Sequence, residues 1–358
     1  MAGITYKCPN CGAYLTFDPE TQQWKCPFCS SAFPESELKG KAEAFQNEAE
    51  KEAEKEAEKE AKEPSSGAQV VYHCPSCGSE IMTDETTVAT HCYYCHSPVV
   101  LQGKLTADMK PDEVLPFTIG REKAIEEISE WIRTRKFVPK KFFSKAQIQE
   151  MSGVYYPHFV SECQTEGILD GEATTSDVFD EGKYVVTNTR HYHVRREGRF
   201  VFKDILRPAL SKANRKLTEG VHPFPLENAK PFSGAFLSGF LAERRDLEAD
   251  SYRQEIEQEL QGYMNSMLRD TASQYETCSA STSSAMKNIK TKYVLLPTWV
   301  LTYPNKKNKD DPYYYVMNGC TGQVCGKLPV DQGRLWRHGL LAGLIVAALF
   351  CVLAYFLF

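Results

Sequence analysis

The chain has 358 residues, of which 25% are charged, and its formal net charge at pH 7 is −5. This length suffices for two or three domains, and the slightly acidic balance gives no general reason to expect nucleic acid as a partner. Residues 1–12 contain no apolar signal region, so we expect the main part of the chain not to be exported by a secretion signal.

Eight of the thirteen cysteines form four Cys-x-x-Cys pairs, which predict two zinc ribbons, residues 1–36 and 68–103. In each ribbon fourteen residues separate the two pairs. A Cys-x-x-Cys turn directs two sulfurs to one point, and in a reducing cytoplasm two such turns favour a tetrahedral metal site over disulfides. The predicted zinc ligands are Cys8, Cys11, Cys26 and Cys29 in the first ribbon and Cys74, Cys77, Cys92 and Cys95 in the second.

Four thiolates complete the coordination of Zn²⁺, so both predicted zinc ions are structural rather than catalytic. Gly12 and Gly78 directly follow a cysteine pair and allow a sharp turn there. A unit of fewer than about forty residues buries too little core to fold alone, so the metal supplies most of the folding free energy. Iron–sulfur ligation and redox chemistry of the cysteine pairs are the alternatives.

Neither ribbon has a basic surface for phosphate groups. The formal charge is −1 over residues 1–36 and −2 over residues 68–104, whereas nucleic-acid binding requires clustered lysine and arginine. Four aromatic residues are expected to be exposed: Trp24, Phe28, Tyr93 and Tyr94. They favour a protein-docking surface, although they could instead cover the metal turns.

Residues 37–67 are rich in Glu, Lys and Ala, and alanine recurs every four residues from Ala49 to Ala61. Strong helix formers with Glu–Lys pairs four residues apart predict a single solvated helix, which Pro64 ends. The segment lacks the apolar seam of a coiled coil. We interpret it as a spacer that separates the two ribbons by roughly 30–40 Å.

Residues 104–330 are predicted to form an α+β body. Apolar residues at helical spacing predict an amphipathic helix over residues 121–136. Residues 133–145 are basic with interleaved phenylalanines, a pattern that fits contact with anionic lipid headgroups and, less well, with nucleic acid. A cationic helix end whose phenylalanines enter the core is an equally good interpretation.

Alternation and glycine-marked turns predict strands over residues 154–202, with a hairpin tip at Arg196–Arg199. One or two helices are predicted over residues 240–275. A second β region follows, with a hairpin whose turn contains Asn318-Gly319 and Thr321-Gly322.

Isolated histidines and cysteines of the body suggest no catalytic centre. His191 and His193 alternate onto one strand face, but no third metal ligand accompanies them in the sequence. We interpret Cys320 and Cys325 as small hairpin residues, and the remaining cysteines as apolar positions: Cys163, Cys278 and Cys351. Since phosphate loops, nucleophile elbows and paired acid/base motifs are absent from the sequence, we do not expect an enzyme.

Residues 339–358 contain neither charge nor proline. At about 1.5 Å per residue, a helix of this length spans roughly 30 Å, the thickness of a bilayer's hydrocarbon core. Arg334, Trp336 and Arg337 precede it, as expected for an interfacial belt on the positive, cytoplasmic side. We therefore expect residues 334–358 to anchor the chain in the cell membrane by a single pass, with the N-terminal part in the cytoplasm. A buried core helix is the alternative.

The order of the cysteine pairs, the Glu/Lys spacer, the VYYPHFV and PTWVLTY strands, the YYYVMNGCTGQVCGKLP hairpin and the apolar C-terminal stretch resembles one bacterial family. These are the TFIIB-type zinc-ribbon membrane proteins of Gram-positive species, also described as YdjG-like. The resemblance covers essentially the whole chain, and the hairpin and the C-terminal span make it specific. The chain departs from the family's pattern at Cys320 and Cys325, where other members tend to have other residues, which argues against a third metal site.

Membership of this family implies a role in envelope-stress complexes, in which such proteins help bring phage-shock protein A to the membrane together with a partner membrane protein. The sequence thus predicts a membrane-anchored scaffold whose zinc ribbons recruit cytoplasmic proteins. A membrane-tethered nucleic-acid-binding protein is the alternative, which the ribbon charges oppose. An enzymatic body that uses His191 or His193 is a third hypothesis.

Overall fold

The structure, a computed structural model, describes residues 6–38, 70–73, 80–83, 86–92, 98–100, 109–139, 151–213, 215–303 and 313–357. Several predicted features lie outside these residues: the spacer helix from residue 39 onward, Cys74, Cys77, Gly78, Tyr93, Tyr94 and Cys95 of the second ribbon, and residues 140–145 of the basic stretch.

The first ribbon contains a small antiparallel sheet of three short strands, β1 (Thr16–Asp18), β2 (Gln23–Lys25) and β3 (Ala32–Phe33), in the order β1-β2-β3. Trp24 on the central strand pairs with Phe17 on one side and Phe33 on the other. The rings of Phe17 and Trp24 lie 5.1 Å apart, and both residues are buried. Because aromatic rings bury a large area per residue, they give this small unit its core.

Four strands belong to the second cysteine-rich unit. β4 (Val70–His73) pairs with β5 (Glu80–Thr83), and β6 (Thr87–His91) pairs with β7 (Pro98–Val100), both antiparallel. The first pair of strands flanks the sequence positions of Cys74 and Cys77, and the second pair flanks those of Cys92 and Cys95. Cys92, the ligand candidate that lies within the described residues, is buried.

The remaining elements form a strand-rich α+β body, as predicted. In chain order they are β8 (Glu113–Val114), α1 (Arg121–Arg133), β9 (Ser152–Glu181), β10 (Tyr184–Pro208), α2 (Arg215–Glu219), β11 (Lys230–Pro231), β12 (Leu241–Glu243), α3 (Arg253–Asp270), β13 (Thr277–Tyr303), β14 (Tyr313–Asn318), β15 (Val324–Gly326) and α4 (Gln332–Leu357). Ten strands form one sheet, in the order β11-β8-β13-β9-β12-β6-β7, with β10 on β9, β14 on β13 and β15 on β14. Strands β6 and β7 of the second cysteine-rich unit thus belong to the sheet of the body, whereas β4 and β5 form a separate two-stranded sheet.

Three very long strands, β10, β9 and β13, pair antiparallel, with β9 in the centre. Their charges favour this order, because β9 carries seven acidic residues and no lysine or arginine, β10 is mainly basic, and β13 has three lysines and no acid. Arg190 lies 3.0 Å from Asp177, Arg195 lies 3.0 Å from Asp170, and Arg199 lies 3.3 Å from Glu166. Such exposed pairs add little stability individually, but a slipped register would lose them together.

The predicted hairpin tip at Arg196–Arg199 is wrong. β10 continues through these residues, with Gly198 paired to Gly167, and the turn between β9 and β10 lies at Gly182 and Lys183. Gly182 has φ +68°, the left-handed conformation that glycine adopts without steric cost. In a single sequence, a glycine such as Gly198 that pairs with another glycine across a sheet looks the same as a glycine in a turn. Only the pairing of distant strands distinguishes the two cases.

The two helical regions predicted in the body are confirmed with shorter bounds, as α1 (Arg121–Arg133) and α3 (Arg253–Asp270), whereas Leu241–Glu243 form strand β12 instead. α1 buries Ala124 and Ile128, and α3 covers one face of the long strands, where Met264 and Leu268 pack with Leu169. Gly167 makes this close packing possible, since a Cβ there would lie 2.5 Å from Met264 Sδ. The predicted hairpin of the second β region is also confirmed as β14 and β15.

His158 is buried within β9, and burial lowers its pKa to about 4. Its Nδ1 lies 3.1 Å from the Tyr156 carbonyl oxygen, so the neutral ring donates there. Its Nε2 has no partner among the described residues.

Stability is therefore expected to decrease as the pH falls from about 6.5, the ordinary histidine pKa, toward 4, because the unfolded chain binds a proton that the folded His158 excludes. Between pH 7.5 and 5 this group should cost about 2 kcal/mol of unfolding free energy. Urea unfolding of the detergent-solubilised protein at both pH values measures the loss, and His158→Gln should reduce it. An equal pH dependence in the variant would contradict the assignment.

Candidate metal centre

The four cysteines of the first ribbon come together. The sulfurs of Cys8, Cys11, Cys26 and Cys29 lie within 4.8 Å of one another, and this group could hold a metal ion. Cys8 Sγ lies 3.5 Å from Cys29 Sγ, and Cys11 Sγ lies 3.4 Å from Cys26 Sγ and 3.7 Å from Cys29 Sγ. Zn–S bonds of about 2.3 Å in a tetrahedron would place the sulfurs about 3.8 Å apart. The donor set and its spacing fit zinc.

Two equivalent backbone turns position the sulfurs. In the first, Cys8 N–H donates to Ala13 O and Gly12 N–H donates to Cys8 O; in the second, Cys26 N–H donates to Ser31 O and Ser30 N–H donates to Cys26 O. Gly12 has φ +76° and Ser30 has φ +58°. The second turn thus needs the left-handed conformation without a glycine, a strain that the surrounding hydrogen bonds must offset.

The sulfurs differ in their readiness to ionise. The Ser31 side chain and backbone amide lower the pKa of Cys29 to about 6, and Ser31 Oγ lies 3.3 Å from Cys29 Sγ. The Ala13 amide lowers the pKa of Cys11, whereas the neighbouring sulfurs of Cys26, Cys29 and Cys8 raise it. The raising effects together are larger, so the pKa of Cys11 lies above its ordinary value. Neighbouring thiolates repel each other, so a metal cation that replaces the protons stabilises the fully ionised set.

Ser31 is a residue that the sequence prediction missed. It contacts Cys29 as described, and its hydroxyl also accepts a hydrogen bond of 2.9 Å from Asn10 Nδ2. It therefore links the two cysteine turns. The only local signal for this role was a hydroxyl residue two positions after Cys29, the last cysteine of the first ribbon.

The first ribbon is attached to the body rather than separate from it. Trp24 Nε1 donates to Ala235 O at 3.0 Å, and Ser238 Oγ donates to Leu15 O at 2.5 Å. Phe236 packs on Phe17 and Trp24, each with ring centroids 5.3 Å apart. These contacts bury residues between the two cysteine turns, namely Leu15, Phe17 and Trp24, and they attach the first ribbon to the body.

The expectation that Trp24 is exposed is wrong: it is only 1% exposed, because Phe236 covers it. Phe28, in contrast, lies between Cys26 and Cys29 and is 78% exposed. Cys11 and Cys29 are exposed beside it. The cysteine turns with Phe28 form the solvent face of this ribbon.

The other candidate residues lie elsewhere. His191 and His193 are exposed on the same face of β10, and His193 Nε2 lies 3.2 Å from Asp170 Oδ1. Among the described residues, one cluster brings together three or more side chains that could ligate a metal, and it is the four-cysteine group. Cys320 and Cys325 pack on an apolar cluster around Val316 in the hairpin region, as small hairpin residues should.

The apolar stretch near the C-terminus forms one long helix, α4. Its residues Gln332–Cys351 are long and apolar enough to cross a membrane, and none of them is buried within the described structure. The alternative of a core helix would require burial on most sides, which these residues do not show.

Comparison with known proteins gives one informative similarity. The chain is 28% identical over 352 residues to YdjG of Bacillus subtilis (strain 168), a protein described as uncharacterized, and the match covers 96% of each chain. No family model and no solved structure matches. The similarity agrees with the YdjG-like features of the sequence, and the four-cysteine group is compatible with a zinc ribbon.

Proposed function

We propose that this protein is a membrane-anchored scaffold whose zinc ribbons recruit cytoplasmic proteins to the membrane, in an envelope stress response. α4 with residues 339–358 is the anchor, and the N-terminal part of the chain faces the cytoplasm. Each ribbon holds one structural Zn²⁺, the first through Cys8, Cys11, Cys26 and Cys29 and the second through Cys74, Cys77, Cys92 and Cys95. The family resemblance supports phage-shock protein A and a second membrane protein as partners.

The observation that carries the proposal is the exposed Phe28 at the metal turn of a ribbon that is itself attached to the body. Phe28 lies between two predicted metal ligands, Cys26 and Cys29, in a turn closed by backbone hydrogen bonds, and aromatic residues are enriched at protein interfaces. The four thiolates leave no open coordination position, so a structural zinc supports docking rather than chemistry.

The charges around Phe28 favour a protein partner over nucleic acid. Lys25 forms an ion pair with Asp18, and no patch of free cations surrounds the turn among residues 6–38 of the structure. The nucleic-acid alternative would require such a patch.

Phe28→Ala is expected to weaken partner binding by roughly ten-fold or more, as for a truncated interface anchor, without loss of zinc. The measurement is a pull-down of full-length protein from detergent-solubilised membranes, with quantification of captured proteins and of zinc. Tyr184→Ala is the matched control, because Tyr184 is 77% exposed at the start of β10, next to the turn. Equal partner recovery by Phe28→Ala and wild type would refute Phe28 as the docking residue.

A further inference from the structure

Two segments that are distant in sequence meet where α4 begins. Asp331 N–H donates to Phe137 O at 2.7 Å, and Arg334 Nη1 donates to Val138 O at 3.4 Å. The rings of Phe137 and His338 contact edge to face, with centroids 5.5 Å apart. The segment that follows α1 is therefore fixed against the start of the apolar helix.

This junction concentrates positive charge. We call its five basic residues the cationic collar: Arg133, Arg135, Lys136, Arg334 and Arg337. Residues 133–138 and 331–338 contain one acid, Asp331, whose carboxylate accepts the Arg334 backbone N–H at 3.1 Å and lies 3.7 Å from Arg334 Nε. The other four basic residues are exposed. Arg135 lies over the Trp131 ring at 4.9 Å and Arg337 Nε donates to Gly333 O at 3.1 Å, but across the described parts of the chain none of the four has an acidic partner that neutralises its charge.

An apolar groove adjoins the collar. It has a volume of about 770 Å³ and lies between Phe137 and α4, where Leu335, Trp336, Leu340, Gly343 and Leu344 line it. Nothing lies within 4 Å of the position of a Cβ on Gly343, so the groove is open along the helix. Trp336 lies at the end of the groove nearest the start of α4 and is 70% exposed. Indole rings at this position of a membrane-spanning helix typically lie at the membrane surface.

We infer that the collar and the groove together bind one anionic phospholipid. Its phosphate contacts the exposed cations around Arg135 and Arg337, and an acyl chain occupies the groove beside Phe137 and Leu344. Charge complementarity favours an anionic headgroup, and the groove is continuous with the helix proposed to cross the bilayer, where phospholipid is the surrounding solvent. This inference rests on the proposed membrane anchoring.

The test is native mass spectrometry of the full-length, detergent-solubilised protein with added phosphatidylglycerol or phosphatidylcholine at equal concentration. The wild type is expected to retain phosphatidylglycerol preferentially. The double substitution Arg135→Gln/Lys136→Gln should reduce that retention roughly 25-fold, since each cation near an anionic surface contributes about 1 kcal/mol, which is about five-fold in affinity. Inorganic phosphate at the same concentration should not displace the lipid.

The matched control is Lys110→Gln/Lys123→Gln, which removes the same charge from exposed positions before or at the start of α1. It should bind phosphatidylglycerol like the wild type. Equal retention of both lipids by the wild type, or equal loss in the control, would overturn the lipid site. Membrane fractionation of each variant separates failure of the lipid site from failure of the proposed anchor. If the anchor fails, the protein is recovered in the soluble fraction; if only the lipid site fails, it stays in the membrane fraction.

Discussion

Replacing Cys26 by serine is expected to release the metal from the first ribbon and to expose Trp24. Cys26 is a buried member of the four-cysteine group, and Trp24 precedes it by two residues in β2. A structural zinc contributes on the order of 10 kcal/mol to the folding of such small units. The aromatic core of the ribbon alone cannot replace that contribution, so the ribbon should unfold and separate from Ala235 and Phe236.

Two measurements check this result. Zinc per chain should fall by one ion, and tryptophan emission should shift to longer wavelength as Trp24 loses its burial. Cys320→Ser is the matched control, because Cys320 lies outside the cluster and its Sγ donates to Pro116 O, as a hydroxyl could. A Cys26→Ser protein with unchanged zinc content and emission would exclude Cys26 as a ligand.

Asn318→Ala is expected to destabilise the body by about 4 kcal/mol, since buried polar groups that lose their partners cost about 1–3 kcal/mol each. Asn318 is fully buried at the end of β14. Its Nδ2 donates to Val221 O at 2.8 Å and to Pro223 O at 3.0 Å. Its Oδ1 accepts the N–H groups of Cys320 at 2.8 Å and Thr321 at 3.1 Å. Alanine would leave four backbone groups without this partner.

Urea unfolding followed by circular dichroism measures the change, and the zinc content should stay constant because neither Asn318 nor its hydrogen-bond partners belong to the four-cysteine group. Asn188→Ala is the control, since Asn188 is exposed on β10 and should change stability by less than about 0.5 kcal/mol. A similar midpoint for Asn318→Ala and wild type would show that water replaces the lost hydrogen bonds.

Local spacing was sufficient to predict the four-cysteine group of the first ribbon and three helices, α1, α3 and α4. The first two cysteine pairs specify their turns within a few residues, because each turn is closed by hydrogen bonds such as Gly12 N–H to Cys8 O. α1 and α3 followed from apolar residues at helical spacing, and α4 from an uninterrupted apolar stretch. These features depend on neighbours along the chain, which a single sequence displays.

Tertiary structure decided everything that depends on distant partners. A glycine pair in the sheet and a true turn look alike locally, so only the pairing of β9 with β10 placed the turn at Gly182. The sequence suggested that Trp24 is exposed, but in the fold it is covered by Phe236, which lies more than two hundred residues later in the chain. The sequence by itself determined which four cysteines of the first ribbon could hold a metal ion and which helix could cross a membrane. The fold alone fixed the first ribbon on the body and Phe137 on His338, since contacts between distant residues depend on packing that no local pattern encodes.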